Sequence, residues 1–152
     1  MVEFHKTLSE NSVRFRYFGM LKLEERIAHE RLTRICFNDY DREIALVLDH
    51  DLPGGRHEIL GIGRLSRTSE PGEADFAVIV SDPWQHQGLG ALLTAKVIEV
   101  AKAEGLSRLC CCIMSGNTGM QKVCRKSGFE LHRLSDGEYR ADMLLPDSPV
   151  AE

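Results

Sequence analysis

This sequence predicts an α+β domain built on one mixed β-sheet. Three observations point there. Apolar, β-branched runs come in neighbouring pairs separated by turn residues. Longer stretches carry apolar residues at helical spacing. The two kinds do not alternate strictly, so a doubly wound parallel fold is not indicated.

A short strand is expected to open the chain. Leu8 to Phe18 and Leu23 to Cys36 read as two helices, the first capped by Ser9. Glu43 to Leu48 reads as a strand and Glu58 to Leu65 as its hairpin partner. Asp51-Leu52-Pro53-Gly54-Gly55-Arg56 turns between them. Gly61-Ile62-Gly63 falls inside the second strand, where glycines signal a bulge or close packing. After a turn at Ser69-Glu70-Pro71-Gly72, Ala74 to Val80 reads as a third strand. Gly88 to Glu104 places Leu89, Leu92, Leu93, Val97, Val100 and Ala101 on one helical face, with Gly105 ready to end it. Leu109 to Met114 is a short buried strand, Gly119 to Ser127 a short helix stopped by Gly128. Glu130 to Leu134 and Tyr139 to Leu145 form a last strand pair turned at Asp136-Gly137. The expected architecture is a mixed sheet flanked by about four helices, one domain over residues 1–145. A frayed polar tail is expected over residues 146–152.

The composition narrows the function classes. A chain of 152 residues fits one domain, and 43% hydrophobic with 28% charged residues is ordinary for a globular protein. No apolar run is long enough to span a membrane, and the first residues lack the apolar stretch of a signal peptide. Lys and Arg number 19 against 23 Asp and Glu, a net charge of −4. That balance lacks the basic footprint of a general nucleic-acid binder. The five cysteines are Cys36, Cys110, Cys111, Cys112 and Cys124. Strand neighbours point to opposite faces, so the triplet makes no metal clamp. No Cys-x-x-Cys pair occurs, and the thiols read as buried structural groups in a reducing cytoplasm. His5, His29, His50, His57 and His132 show no metal-binding spacing and read as structural or exposed. No metal is expected.

The chemistry concentrates where a strand runs through Ser81-Asp82-Pro83-Trp84 into Gln85-His86-Gln87-Gly88-Leu89-Gly90-Ala91 and then a helix. A first helical turn presents unpaired N–H groups and a positive partial charge. Glycines let the backbone approach a ligand closely. Together these suit a pyrophosphate. The Walker pattern is absent, and the Rossmann pattern fails because Leu93 occupies its third glycine position. What remains is Gln-x-x-Gly-x-Gly at Gln85, Gly88 and Gly90, with Asn117 after the next strand. Trp84 is expected to pack the base of the loop, and His86 to be a solvent-facing residue whose backbone binds.

With that loop, Asn117 and Lys126-Ser127-Gly128-Phe129, the chain resembles the GNAT family of acetyl-CoA-dependent N-acyltransferases. The likeness is clearest from Ala74 to Phe129. Ser12 to Phe18 and Asp39 to Val47 further resemble the acyltransferase domain of bacterial Pat-type protein lysine acetyltransferases. In that family the domain is often fused to an acyl-CoA synthetase-like or cyclic-nucleotide-binding region. The resemblance implies the GNAT fold and acetyl-CoA as cofactor. It implies that main-chain amides from Gln85, His86, Gln87, Gly88, Leu89, Gly90 and Ala91 hold the pyrophosphate. Backbone groups of Val78, Ile79 and Val80 would line the pantetheine arm, with Asn117 near its thiol end. The acceptor implied is a protein lysine. The sequence leaves room for a homodimer.

An amine attacking a thioester must lose a proton. A lysine ε-amine has a pKa of about 10.4, so it is almost wholly protonated at neutral pH. A positioned carboxylate can take that proton. The Pat-type relatives place a glutamate ten residues before the loop glutamine, and here that position is Asp75. Glu73 lies two residues earlier on the same strand face and is a substitute. Many GNAT enzymes carry a tyrosine acid seven residues after the asparagine; here it is Cys124, which reads better as a small core residue. The run Asp39, Asp41, Arg42 and Glu43 reads as a solvated turn that could also attract a cationic acceptor. The leading expectation is transfer from acetyl-CoA to a protein lysine by direct attack in a ternary complex. A small-molecule amine acetyltransferase and a non-catalytic acyl-CoA sensor are the alternatives.

Overall fold

The computed structural model describes residues 1–19, 21–36 and 41–146. Asp39 of the acidic run and the tail beyond Pro146 lie outside them.

Strands β1 (Glu43–Leu52), β2 (Arg56–Arg67), β3 (Glu73–Val80), β4 (Arg108–Ile113), β5 (Glu130–Arg133) and β6 (Tyr139–Leu144) form one sheet in the order β1-β2-β3-β4-β6-β5. Only the β3–β4 ladder is parallel. That is the mixed sheet the sequence predicts. Pro53 ends β1 only after Leu52, so the first hairpin is longer than its apolar run alone suggests.

Helices α5 (Leu89–Ala103) and α6 (Thr118–Ser127) pack on one face. Val97 and Ala101 of α5 are buried with Leu65, Phe76, Leu109 and Ile113 of the sheet, and Leu93 of α5 is buried too. Gly105 and Gly128 take φ of +71° and +98° just past the two helices, where a left-handed residue ends a helix most cheaply. On the opposite face, Ile62 and Ile79 pack with Phe4 of α1 (Val2–Lys6), Val13 of α2 (Glu10–Tyr17) and Leu8 of the link between them.

The N-terminal region corrects two expectations. The chain opens with helix α1, not with a short strand. Phe4 is buried and Lys6 reaches back to Glu3 at 3.0 Å, a helical i,i+3 pair. The second predicted helix is two, α3 (Leu23–Arg26) and α4 (His29–Cys36), parted at Ile27-Ala28. Ser9 does cap α2, accepting the Ser12 N–H at 3.2 Å.

Gly61 and Gly63 do both things expected of strand glycines. The register slips opposite Leu48/Asp49, a bulge beside Gly61. A Cβ at Gly61 would meet Leu93 Cδ1 at 2.9 Å and the Ile79 carbonyl at 3.0 Å. At the tip of the same hairpin, His57 Nδ1 lies 2.9 Å from both Asp49 Oδ2 and Asp51 Oδ1, a cluster the sequence spacing does not suggest. All three residues are exposed.

His5 is 1% exposed, and neither ring nitrogen finds a hydrogen-bond partner among the described residues. Burial, with the charges of Arg31, Arg26 and the N-terminus, lowers its pKa from 6.5 to about 4. It is therefore neutral at pH 7.

Two outcomes are expected. Gly61→Ala should destabilise the protein by about 1–3 kcal/mol, since a packed core resists overpacking, read as a fall of several degrees in Tm. An unchanged Tm would mean that α5 yields. For His5, the unfolded state binds more protons between pH 6.5 and about 4. Its contribution is full above pH 6.5, is lost as pH falls through that window, and is flat below. Wild type should lose about 3 kcal/mol more than His5→Phe over that window. Equal losses in denaturant titrations at both pH values would refute it.

Candidate active site

Strands β3 and β4 pair over only three rungs, Glu73↔Arg108, Ala74↔Leu109 and Asp75↔Cys110. Both continue, but apart. The gap opens a cleft of about 1160 Å³ between the free side of β3, the start of α6 and the face of α2. Asp75 to Val80 line one wall, Cys111 to Ile113 and Gly116 to Met120 the other. The loop before α5 closes one end through Gln85, His86 and Gly88 to Ala91.

That loop is built to offer amides. After a 3-10 turn at Asp82–Trp84, His86 takes φ of +60° and Gly88 φ of +85°. The first helical bond of α5 runs from the Leu92 N–H to the Gly88 carbonyl at 3.0 Å. The amides before Leu92 have no carbonyl a turn earlier to receive them, and Gly88 supplies no side-chain cap. A Cβ at Gly88 would meet nothing within 4 Å.

The Gln85 side chain does not point at a ligand. Its amide donates to the Val80 carbonyl at 3.0 Å and to Ser12 Oγ at 2.9 Å. Asp82 Oδ1 accepts from Ser12 Oγ at 2.9 Å and from the Ser9 N–H at 3.0 Å. Gln85, Asp82 and Ser12 thus tie loop, strand end and α2 together. The sequence reading missed Ser12 and Asp82, because residues 70 positions apart leave no local signal. Trp84 packs against the first hairpin: its indole N–H reaches Glu58 Oε1 at 3.4 Å and its ring stands edge-on to His50. His86 is exposed. Gln87 is exposed too, its side-chain amide 3.5 Å from the Pro83 carbonyl.

Of the carboxylates, Asp75 lines the cleft and is exposed. Among the described residues it forms no ion pair, and it accepts a hydrogen bond from the Cys110 thiol at 2.9 Å. Glu73 does not line the cleft. It is held 3.7 Å from both Arg108 and Arg140, and accepts from the Thr68 hydroxyl at 3.2 Å. Asn117 lines the cleft, but its Oδ1 caps α6, accepting the Met120 N–H at 3.2 Å. Cys124 is fully buried and does not line the cleft. Interaction with the neighbouring Cys124 thiol, followed by burial, pushes the Cys111 thiol up. Cys124 is therefore a core residue. Arg16 lines the cleft, its guanidinium 4.9 Å from the Tyr17 ring centroid. Burial lowers its pKa below the usual guanidinium range.

The cleft fits a long ligand with an anionic end. Lys122 and Lys126 line it, and Asp75 is the one carboxylate among the lining residues described.

A family model for the acetyltransferase (GNAT) domain matches residues 2–130, and the chain belongs to that family. Acetyltransferases of this family use acetyl-CoA. A curated relative, acetyltransferase PA5475 of Pseudomonas aeruginosa, is 30% identical over 128 residues, 84% of this chain. The match spans 66% of that protein's length. Among solved structures, the GNAT domain of S. lividans PAT superposes with a TM-score of 0.80 at 24% identity, covering 95% of this chain and 82% of that one. The PaiA N-acetyltransferase of Thermoplasma acidophilum, solved with coenzyme A, gives 0.67 at 14% identity, covering 95% and 94%. These likenesses share the fold. Among the described residues no helix is long and apolar enough to cross a membrane.

Proposed function

We propose that residues 1–145 act as one domain that acetylates the ε-amine of a protein lysine, with Asp75 as general base. The observation that carries this reading is the placement of Asp75: a carboxylate without an ion pair, in the cleft, where β3 and β4 part. Glu73 is a poor substitute, because two arginines already neutralise it.

Acetyl-CoA supplies an acetyl group activated as a thioester. The amides from His86 to Ala91 would hold its pyrophosphate, with Gln85 fixing the loop and Gln87 bordering it. Backbone groups of Val78, Ile79 and Val80 on the unpaired side of β3 would hold the pantetheine arm, which also aligns the reacting ends. The Asn117 side-chain amide, its oxygen engaged by α6, keeps N–H groups for the cleft. Asp75 takes the proton that the amine must lose. No side-chain acid stands at Cys124, so the departing thiolate leaves unaided or takes a proton from water.

Two facts support a protein lysine. Asp75 and Cys112 are exposed on an open face of the sheet, accessible to a bulky acceptor. The likeness to the GNAT domain of S. lividans PAT points the same way. All five cysteines are free thiols, Cys110, Cys111 and Cys124 buried and Cys36 and Cys112 exposed; free thiols and the use of acetyl-CoA fit a cytoplasmic location.

Radiolabelled acetyl-CoA offered with lysine peptides, polyamines and free amino acids should label the peptides. Labelling only polyamines or amino acids would make it a small-molecule enzyme. Binding without labelling would make it a sensor. Asp75→Asn should keep coenzyme A affinity within about twofold and lower kcat by about 10²–10⁴-fold. A wild-type rate in that variant would refute the base.

A further inference from the structure

The Asp75 carboxylate has a partner that the proton transfer above leaves unused. Cys110 is its Cα partner on β4, at the last rung before the strands part. The Cys110 Sγ lies 2.9 Å from Asp75 Oδ1 and 3.5 Å from the Ala74 carbonyl. A thiol has one proton to give, and the nearer, charged acceptor takes it. Cys110 is 1% exposed, packed at the foot of the cleft wall.

We propose that Cys110 is a positioning residue for the acetyl transfer: its S–H pins Oδ1 of Asp75 and leaves Oδ2 to receive the proton of the incoming amine. The proposal rests on the reading of Asp75 as base.

Three further observations support it. Burial, then the hydrogen bond to Asp75, pushes the Cys110 thiol well above the ordinary thiol range, so it stays a donor at working pH. The neighbouring cations are engaged elsewhere. Arg108 lies 2.8 Å from Asp142 and 3.7 Å from Glu73, and Arg140 holds Asp142 at 3.2 Å. Asp75 is therefore oriented by a neutral, weak donor and not by a guanidinium. A guanidinium would stabilise the ionised carboxylate strongly and blunt it as a base; a thiol is a weak donor and costs little basicity.

Reach makes the orientation matter. An aspartate has few atoms between backbone and carboxylate, so the strand fixes where it can go. The remaining freedom is rotation of the carboxylate, and the thiol at 2.9 Å removes it. A small misplacement of a reacting group is enough to slow transfer by orders of magnitude.

The test uses the full chain in four forms: wild type, Asp75→Asn, Cys110→Ser and Cys110→Ala. Two readouts apply: kcat and KM for acetyl transfer to Nα-acetyl-lysine amide, and the infrared S–H stretch of Cys110, isolated by difference against Cys110→Ala. Coenzyme A affinity by calorimetry reports whether each variant keeps its fold. Cys110→Ala should lower kcat about ten- to a hundredfold with KM little changed. Cys110→Ser, which keeps a donor, should recover most of that loss. The S–H band should move to higher wavenumber in Asp75→Asn, where the charged acceptor is gone. A slow Asp75→Asn beside a wild-type rate in Cys110→Ala would overturn the positioning role alone. Equal losses in Ser and Ala, or an S–H band indifferent to Asp75→Asn, would overturn it too. A wild-type rate in Asp75→Asn would overturn the base, and the positioning role with it.

Discussion

The parallel ladder between β3 and β4 stops after three rungs, and the working parts of the molecule follow from that stop. Up to Asp75 and Cys110 the two strands satisfy each other's backbone. Beyond them, β3 still pairs with β2 and β4 with β6, so neither strand is free to close the gap. The result is a cleft held open by the sheet itself. Asp75 is the one carboxylate among its described lining residues, and the strand edges along it have polar groups to spare. An extended ligand arm can satisfy those groups, as another strand would.

A second constraint keeps the far end of the cleft in register with the first. The loop between β3 and α5 contains residues at positive φ, and such a turn needs support. Gln85 and Asp82 supply it by joining the end of β3 to the N-terminus of α2. The buried Ser81 hydroxyl donates to Thr7 at 2.8 Å and adds α1 to the joint. The α1–α2 face thus supports the loop before α5, and α2 also lines the cleft. Loop amides, the unpaired side of β3 and Asp75 are all fixed to one sheet, which is the preorganisation that the proposed transfer requires.

Much of this was legible in the sequence, because much of it is local. Turn residues bracket every strand from Glu43 onward, and the loop motif spans six consecutive positions. The helix expected from Gly119 starts one residue earlier, at Thr118, with Asn117 as its cap. The N-terminal region resisted for physical reasons. Val2 to Lys6 is too short for periodicity to separate helix from strand, and the burial of Phe4 decides it. The break between α3 and α4 falls at Ile27-Ala28, with no glycine or proline to mark it. The site was partly legible. Asp75 and Glu73 looked equivalent by alternation, and what separates them is non-local. Arg108 and Arg140 come from other strands to claim Glu73, whereas Asp75 meets a thiol. Which cysteine of a triplet faces a carboxylate depends on parallel register, which a sequence does not display.

The central claim is that the loop at Gln85 to Ala91 holds the pyrophosphate of coenzyme A. Calorimetric titration of wild type and Gly88→Val with coenzyme A and with pantetheine, which lacks the pyrophosphate, tests it most directly. At φ of +85° a β-branched residue strains the loop, while the open space around it spares the fold. The expected result is a loss of coenzyme A affinity of at least about tenfold, or 1.4 kcal/mol, with pantetheine binding unchanged. Equal affinity of the two proteins for coenzyme A would contradict the account.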